Sequence, residues 1–435
     1  MDSISNQSSP LGGASFAPIL QFVFTILVIL SLFLAILSIR RWSKIDFPVL
    51  ADIFEPKRIT IVLPTWNEEK VIASKLDDVL SQDYPMDFVE IIVIDSASED
   101  STIGIIENWL KSRKLANNPR FSIIKEKSRE GKSVSINKAF SSANPDSEIL
   151  MMSDVDCRLE RDVFRRISSW FSDPSIGAVT GRQILLNPDH SAKSSQEVSY
   201  RDFFSRIRVA ESRLHSTPIF HGECAAYRRE ALRGHKLVEN ANADDSQMAV
   251  SSVRSGFRSV YDPDTLFYEM APPDGRSSRI QKIRRAQGLV RHFWRNRDMV
   301  LNSEFGSFRK ILALEFTLHI LTPIFVFLGF LFGFYHLFSI LSEFGFDYGR
   351  MISESPMIES LMIYADLLVL LLLFSGFSGV PAPGGKISLT FFNYMMVLLQ
   401  AIALILFGKS LHQWQQVPLV REALAEHDSK TRLEK

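Results

Sequence analysis

Four stretches of the chain carry no charged side chain: residues 3–39, 316–342, 367–385 and 387–408. A hydrocarbon core about 30 Å thick takes about 20 apolar residues in a helix, so each stretch can cross a bilayer. The pattern predicts spans over about Ala17–Ile39, Leu312–Leu337, Ser360–Val380 and Ile387–Phe407. Between the first two lies a segment, about 47–302, that mixes charge with turn residues. Within it Arg58–Leu63 is a short β-branched run closed by Pro64, which reads as a buried strand. Val89–Ile94, Phe121–Lys125 and Glu148–Met152 read the same way, and helical stretches fall between them at about Glu68–Leu80, Thr102–Lys114 and Lys132–Ser141. Strand–helix alternation implies an α/β fold with a mostly parallel, Rossmann-like sheet covered on both faces. Ligands bind such sheets beyond the carboxyl ends of the strands.

Composition sharpens this picture. Of 435 residues, 46% are hydrophobic and 23% charged, which with the clumping excludes both disorder and an ordinary soluble protein. The 49 basic and 49 acidic residues balance, so charge gives no argument for nucleic acid as a partner. Cys157 and Cys224 are too few for a disulfide framework or a structural zinc site and read as buried thiols in a reducing compartment. Arg40, Arg41 and Lys44 follow the first span directly, and no basic residue precedes it. The positive-inside bias then sets the N-terminus outside and the following domain in the cytosol. Length and flanking charge argue against a cleaved signal peptide. The third span holds Asp366 and runs into Gly-Val-Pro-Ala-Pro-Gly-Gly, so it reads either as a crossing or as re-entrant; Asp366 is either a functional intramembrane acid or a residue near a helix end. The expected organisation is a tail and first span (1–46), an α/β domain (47–278), basic amphipathic interfacial helices (279–310), three membrane segments (311–410) and a polar tail (411–435).

Acidic residues cluster where the strands end: Glu68 after the first, Asp95 and Asp100 after the second, Asp154 and Asp156 after the fourth. Negative charge gathered in one crevice opposes folding, and a divalent cation resolves the conflict. Asp154 and Asp156 point the same way along an extended segment. Hard carboxylate oxygens suit Mg2+ or Mn2+, which keep positions open for phosphate oxygens.

The ordered motifs over about Arg58–Gly288 resemble a membrane-embedded family 2 glycosyltransferase, the GT-A fold group of dolichol-phosphate mannose synthases, ceramide glucosyltransferases and the cellulose, chitin and hyaluronan synthases. By that resemblance Pro64, Thr65, Trp66 and Glu68 of IVLPTWNEE line the base and ribose of a UDP- or GDP-sugar, and Asp95 of VIDSASEDST accepts a hydrogen bond from the base. Lys132 of REGKSVSINKAF faces the nucleotide or its diphosphate, and Asp154 and Asp156 of MMSDVDC form the metal-binding Asp-x-Asp. HGECAAYRREAL resembles the acceptor-side loop, with Gly222, Glu223 and Cys224 beneath the sugar. In ADDSQMA, Asp244 stands beside Asp245, which aligns with the catalytic base. QKIRRAQG resembles the family's Gln-x-x-Arg-Trp motif: Gln281 and Arg284 match, and Arg285 replaces the tryptophan that stacks on acceptor sugar in polymerising members. An arginine there suits an anionic acceptor, because its fork pairs with phosphate.

The resemblance implies direct displacement with inversion. Metal on Asp156 and Asp154, with Lys132 and Arg284, would neutralise the leaving diphosphate, and Asp245 would take the acceptor proton. Arg279–Arg297 interleaves seven basic residues with Leu289, Val290, Phe293 and Trp294, which reads as an interfacial helix or as positive-inside bias alone. The expectation is an integral cell-membrane enzyme acting on a lipid or lipid-linked acceptor. The competing readings are a short-chain polysaccharide synthase and a catalytically silent subunit. His221 and His292 read as structural, and Glu223 as either an acceptor contact or an ion-pair partner.

Overall fold

The computed structural model describes residues 16–50, 54–115, 118–186, 192–239, 241–271, 275–345, 347, 349–350, 355–378, 384–410 and 418–433. Two units emerge, residues 38–313 with 410–435, and residues 1–37 with 314–409.

The first unit is built on eight strands. They are β1 (Ile59–Thr65), β2 (Val89–Asp95), β3 (Phe121–Lys125), β4 (Ile149–Met152), β5 (Cys157–Leu159), β6 (Ile176–Leu185), β7 (Ala225–Arg228) and β8 (Arg258–Glu269). Their order in the sheet is β3-β2-β1-β4-β7-β6-β8-β5. The pairs β3/β2, β2/β1, β1/β4 and β6/β8 are parallel, and the other three are antiparallel. After α1 (Ala17–Trp42), the helices of this unit between the first two membrane spans are α2 (Ile72–Leu80), α3 (Thr102–Ser112), α4 (Lys132–Ser142), α5 (Val163–Trp170), α6 (Ala192–Leu214), α7 (Asp244–Arg254), α8 (Gly275–Arg295) and α9 (Asp298–Leu301), and α10 (Phe308–Phe316) opens the second span.

The unbroken apolar run of β1 has a physical cause: both faces of the strand are buried. Ile59, Ile61 and Leu63 feed the main core under α2 and α3, while Val62 joins Ile92, Ile94, Ala139 and Leu150 on the opposite face. The four strands and three helices expected from the sequence up to Met152 are present, with ends shifted by a few residues. The stretch 411–435, expected as a polar tail, instead contains a helix that belongs to this unit, α14 (Pro418–Leu433). Proline stands at its start, and Val420 and Leu424 are buried in the main core.

Among the described residues four helices are long and apolar enough to cross a membrane, and the second unit holds most of each: Ala17–Trp42, Phe308–Phe344, Met357–Ser378 (α12) and Ile387–Leu406, the last within α13 (Gly385–Leu406). The second is α10 joined to α11 (Thr322–Phe344) through a π-helical turn at Thr317–Leu321. The described part of the third span is one continuous helix, and the Gly/Pro segment at 379–383 lies outside the described residues. Asp366 sits in the middle of α12 rather than near its end, where Gln21 Nε2 of α1 donates to Asp366 Oδ1 at 2.7 Å. Tyr394 and His319 pair at 2.9 Å in the same unit. Polar contacts of this kind tie membrane helices that have no hydrophobic drive to associate.

Candidate active site

The parallel strands β1, β2 and β4 end at a cavity of about 130 Å³. Pro64, Thr65, Trp66 and Glu68 reach it from β1, Lys132 from the start of α4, and Asp154 and Asp156 from the turn after β4. Seven residues singled out from the sequence therefore meet in one place. The loops that deliver them are strained: Asn67 and Ala97 hold φ values of 54° and 57°, in a region that side chains with a Cβ rarely adopt. Gly131 takes φ 103° just before α4, where a β-carbon would be strained, and so turns Lys132 into the cleft.

Lys132 Nζ donates to Asp154 Oδ1 at 2.6 Å. Burial alone pushes both groups toward neutrality; the pairing outweighs it, so Lys132 is held above its ordinary range and Asp154 below. Asp156 and Glu68 share a different cation. Arg421, on α14, donates through Nε and Nη2 to the two oxygens of Glu68 at 3.2 and 2.9 Å, and Nη2 lies 2.9 Å from Asp156 Oδ2. Arg421 and Glu68 are 5% and 1% exposed, so the carboxylate expected to face a nucleotide is committed to an ion pair. Arg129 stacks on Trp66, with the guanidinium carbon 3.6 Å from the ring centroid. Asp95 is buried at the end of β2, where the Ser98 N–H donates to Oδ2 at 3.0 Å, and it does not line the cavity.

A second group of side chains lies alongside. Gly222 marks the junction: a β-carbon there would stand 3.4 Å from Lys132 Nζ and 3.6 Å from Asp245 Oδ2. Asp244 and Asp245 open α7, after Ala243 at φ 62°. Ser133 Oγ of α4 donates to Asp244 Oδ1. The Ser246 N–H donates to Asp245 Oδ1 at 2.7 Å, leaving Oδ2 toward Gly222. Burial, then the neighbouring Asp244, pushes the Asp245 carboxyl up to about 7. Glu223 accepts from Arg285 Nη2 at 3.2 Å, so the arginine's charge is already met by a carboxylate. Arg284 is lowered to about 10, by burial and by Arg285, and its backbone carbonyl accepts from Asn242 Nδ2 at 3.2 Å. Gln281 stands one helical turn before this pair on α8, half-buried. The close approach of α8 depends on Gly288, where a β-carbon would stand 2.8 Å from Asn242 Cβ.

Cys224 does not join this group; its side chain is fully buried in the main core. Neither cysteine is in a disulfide. Arg208 Nη1 donates to His221 Nε2 at 2.7 Å, and burial, then that arginine, lowers the histidine's pKa well below the usual value, leaving it neutral. His292 is buried within α8.

Among the described residues no three of His, Cys, Asp and Glu converge into an all-protein metal cage. Asp154 and Asp156 fit the other common arrangement, in which Mg2+ or Mn2+ rests on one or two carboxylates and on phosphate oxygens. That Lys132 and Arg421 each neutralise one of these carboxylates shows how strongly the site calls for positive charge. Two contributors escaped sequence reasoning, Arg129 and Arg421. The signal for the second was present: Pro418 followed by apolar Val420, Ala423 and Leu424 marks an amphipathic helix with Arg421 on its buried side.

A family model described as Glycosyl transferase family 2 matches residues 60–236, and one described as Glycosyl transferase family group 2 matches residues 149–403, more than half the chain. An N-acetylglucosaminyltransferase of Rhizobium meliloti is 25% identical over 244 residues, covering 54% of this chain and 56% of that protein. A poly-beta-1,6-N-acetyl-D-glucosamine synthase of Staphylococcus epidermidis is 25% identical over 242 residues, with the same coverage of 54% and 56%. The chain thus spans about half the length of the curated relatives it matches. Among solved structures, a mannosyltransferase of Pyrobaculum calidifontis in complex with GDP-Man and Mn2+ matches with a TM-score of 0.71 at 28% identity, over 91% of this chain and 100% of that one.

Proposed function

This chain belongs to glycosyl transferase family group 2, with a GT-A fold and membrane helices, and from that premise we propose that it is an inverting, metal-dependent glycosyltransferase. In this reading it moves one sugar from a UDP- or GDP-linked donor to a lipid-linked acceptor on the cytosolic face of the cell membrane, with its N-terminus outside.

The observation that carries the proposal is the junction at Gly222, where Lys132 and the Asp245 carboxylate both lie within 4 Å of one point. Donor chemistry and acceptor chemistry need to meet at such a point. Pro64, Thr65 and Trp66 would hold the nucleoside, with Arg129 backing the indole. Asp154 and Asp156 would hold Mg2+ or Mn2+, whose Lewis acidity neutralises charge on a diphosphate leaving group. Lys132 and Arg284 add fixed positive charge there, already in place before the reaction. Asp245 Oδ2 takes the proton of the acceptor hydroxyl; a carboxyl held near 7 is a competent base at neutral pH. With one base and no activated nucleophile among the described residues of the site, the hydroxyl attacks the anomeric carbon directly and inverts it. Gly222, Glu223, Asp244 and Arg285 would line the acceptor side, and Gln281 would approach it from α8.

A lipid acceptor is supported by the exposed faces of α8 and α9. Ile280, Trp294 and Leu301 are exposed among Arg279, Lys282 and Arg285, the mixture of apolar and basic groups that suits a membrane interface. The polymer synthases among the relatives favour a second reading, a short-chain polysaccharide synthase. Product analysis separates the two. Purified protein in membranes of its host's lipids is incubated with Mn2+ or Mg2+ and a panel of radiolabelled nucleotide sugars. The expected result is label in the organic phase from one donor. Label in a size-heterogeneous, water-soluble product supports the polymer, and neither transfer nor hydrolysis with any donor overturns both in favour of a silent subunit.

A further inference from the structure

Arg421 lies 353 residues from Glu68 in sequence, yet it is the cation that both Glu68 and Asp156 use. The helix that carries it has other anchors. Val420 and Leu424 are buried in the core, Lys70 pairs with Glu422 at 2.7 Å, and Arg158 pairs with Asp428 at 2.6 Å. Docking of α14 therefore does not call for a buried guanidinium at its first turn. Burying one is costly, and an apolar side chain of similar volume generally packs at least as well. Its two carboxylate partners are both cavity residues, one from the β1 loop and one from the Asp-x-Asp turn. Arg421 holds Glu68 by a two-pronged contact and takes Oδ2 of Asp156, which leaves the other oxygen of that carboxylate for a metal ion. Groups that orient metal ligands in this way carry much of a site's affinity.

We propose that Arg421 is a positioning residue of the donor site. It fixes the Asp156 carboxylate so that a divalent cation and a nucleoside diphosphate bind together, which makes α14 part of the catalytic machinery. This inference rests on the donor site described above, and the test separates the two.

The test measures binding of UDP and GDP to the full-length protein in detergent by calorimetry across a Mn2+ series, with thermal unfolding recorded for each variant. Arg421→Ala should raise the Mn2+ concentration that half-saturates nucleotide binding about 10- to 100-fold, the usual cost of losing a ligand-orienting group. Arg421→Lys should recover part of that loss, since it restores the charge without the fork. Arg421→Ala takes this ion pair from the buried Glu68 carboxylate, so the decisive variant is Glu68→Gln with Arg421→Met, which removes both charges at similar volume. It should keep the fold and still show the weakened Mn2+ dependence. Glu422→Ala, which removes only the neighbouring surface pair, should match wild type. A Mn2+ dependence within twofold of wild type in the double variant overturns the proposal. So does tighter Mn2+ binding in Arg421→Ala, which would make the guanidinium a competitor of the metal. Wild-type protein that binds neither nucleotide with Mn2+ defeats the donor-site reading itself.

Discussion

Replacing Asp245 by Asn preserves the shape of the acceptor side and removes one charge. The carboxyl titrates at about 7, roughly three pH units above the ordinary aspartate value, because it is buried and stands beside Asp244. At about 1.36 kcal/mol per unit, keeping it ionised costs the fold up to about 4 kcal/mol above pH 7, an upper bound because the half-buried side chain retains some solvent screening. A raised acid leaves full stability only below its unfolded pKa, and that stability drains away as pH climbs through the folded value. Catalysis runs in the opposite direction, since a base works only when ionised. Asp245→Asn should therefore slow transfer about 100- to 10,000-fold and melt higher than wild type at pH 8. The stability gap should be small near pH 4.5, widen to about pH 7 and then level off. Transfer rates from pH 5.5 to 8.5, with thermal unfolding in the same buffers, measure both effects. A variant that transfers at the wild-type rate, or melts no higher than wild type at pH 8, refutes the assignment of the base.

Three further outcomes are expected. Lys132→Ala removes the partner of Asp154 and should raise the donor KM at least about tenfold with a smaller change in acceptor KM, read from initial rates at varied donor. Gly222→Ala puts a methyl 3.3 Å from Met152 Cε and 3.4 Å from Lys132 Nζ, both flexible ends that need yield only slightly; melting should shift little, and kcat should fall by less than the about 100-fold that a full ångström of displacement costs. Chelation of divalent cations should abolish transfer, and Mn2+ or Mg2+ should restore it; undiminished transfer in excess chelator would contradict the role given to Asp154 and Asp156.

Local pattern carried much of this in advance. The strands through β4 were readable because each is a short apolar run between turn signals, and the spans because nothing else produces 19 or more consecutive uncharged residues. The motif residues Pro64, Lys132, Asp154 and Asp245 stood out by their place after strands or by resemblance. What escaped was set by distance along the chain. The order of β5 to β8 depends on pairings between remote segments, antiparallel for Cys157 with Glu269 and parallel for β6 with β8, that no local period encodes. Arg421 looked like one charge among many in a polar stretch, because a buried ion pair leaves no mark until its partners are known. The partner of Arg285 was hidden for the same reason: Glu223, which accepts from it, lies 62 residues away.

The pairing of Glu68 with Arg421 also sets a timetable. Its partners are separated by 353 residues, and every membrane-spanning segment from 308 to 406 is translated between them. At about 5 to 20 residues per second of synthesis, Glu68 waits roughly 20 to 70 seconds on the ribosome before its cation exists. The contact of α14 with the strand ends therefore closes only after every segment from 308 to 406 has been synthesised.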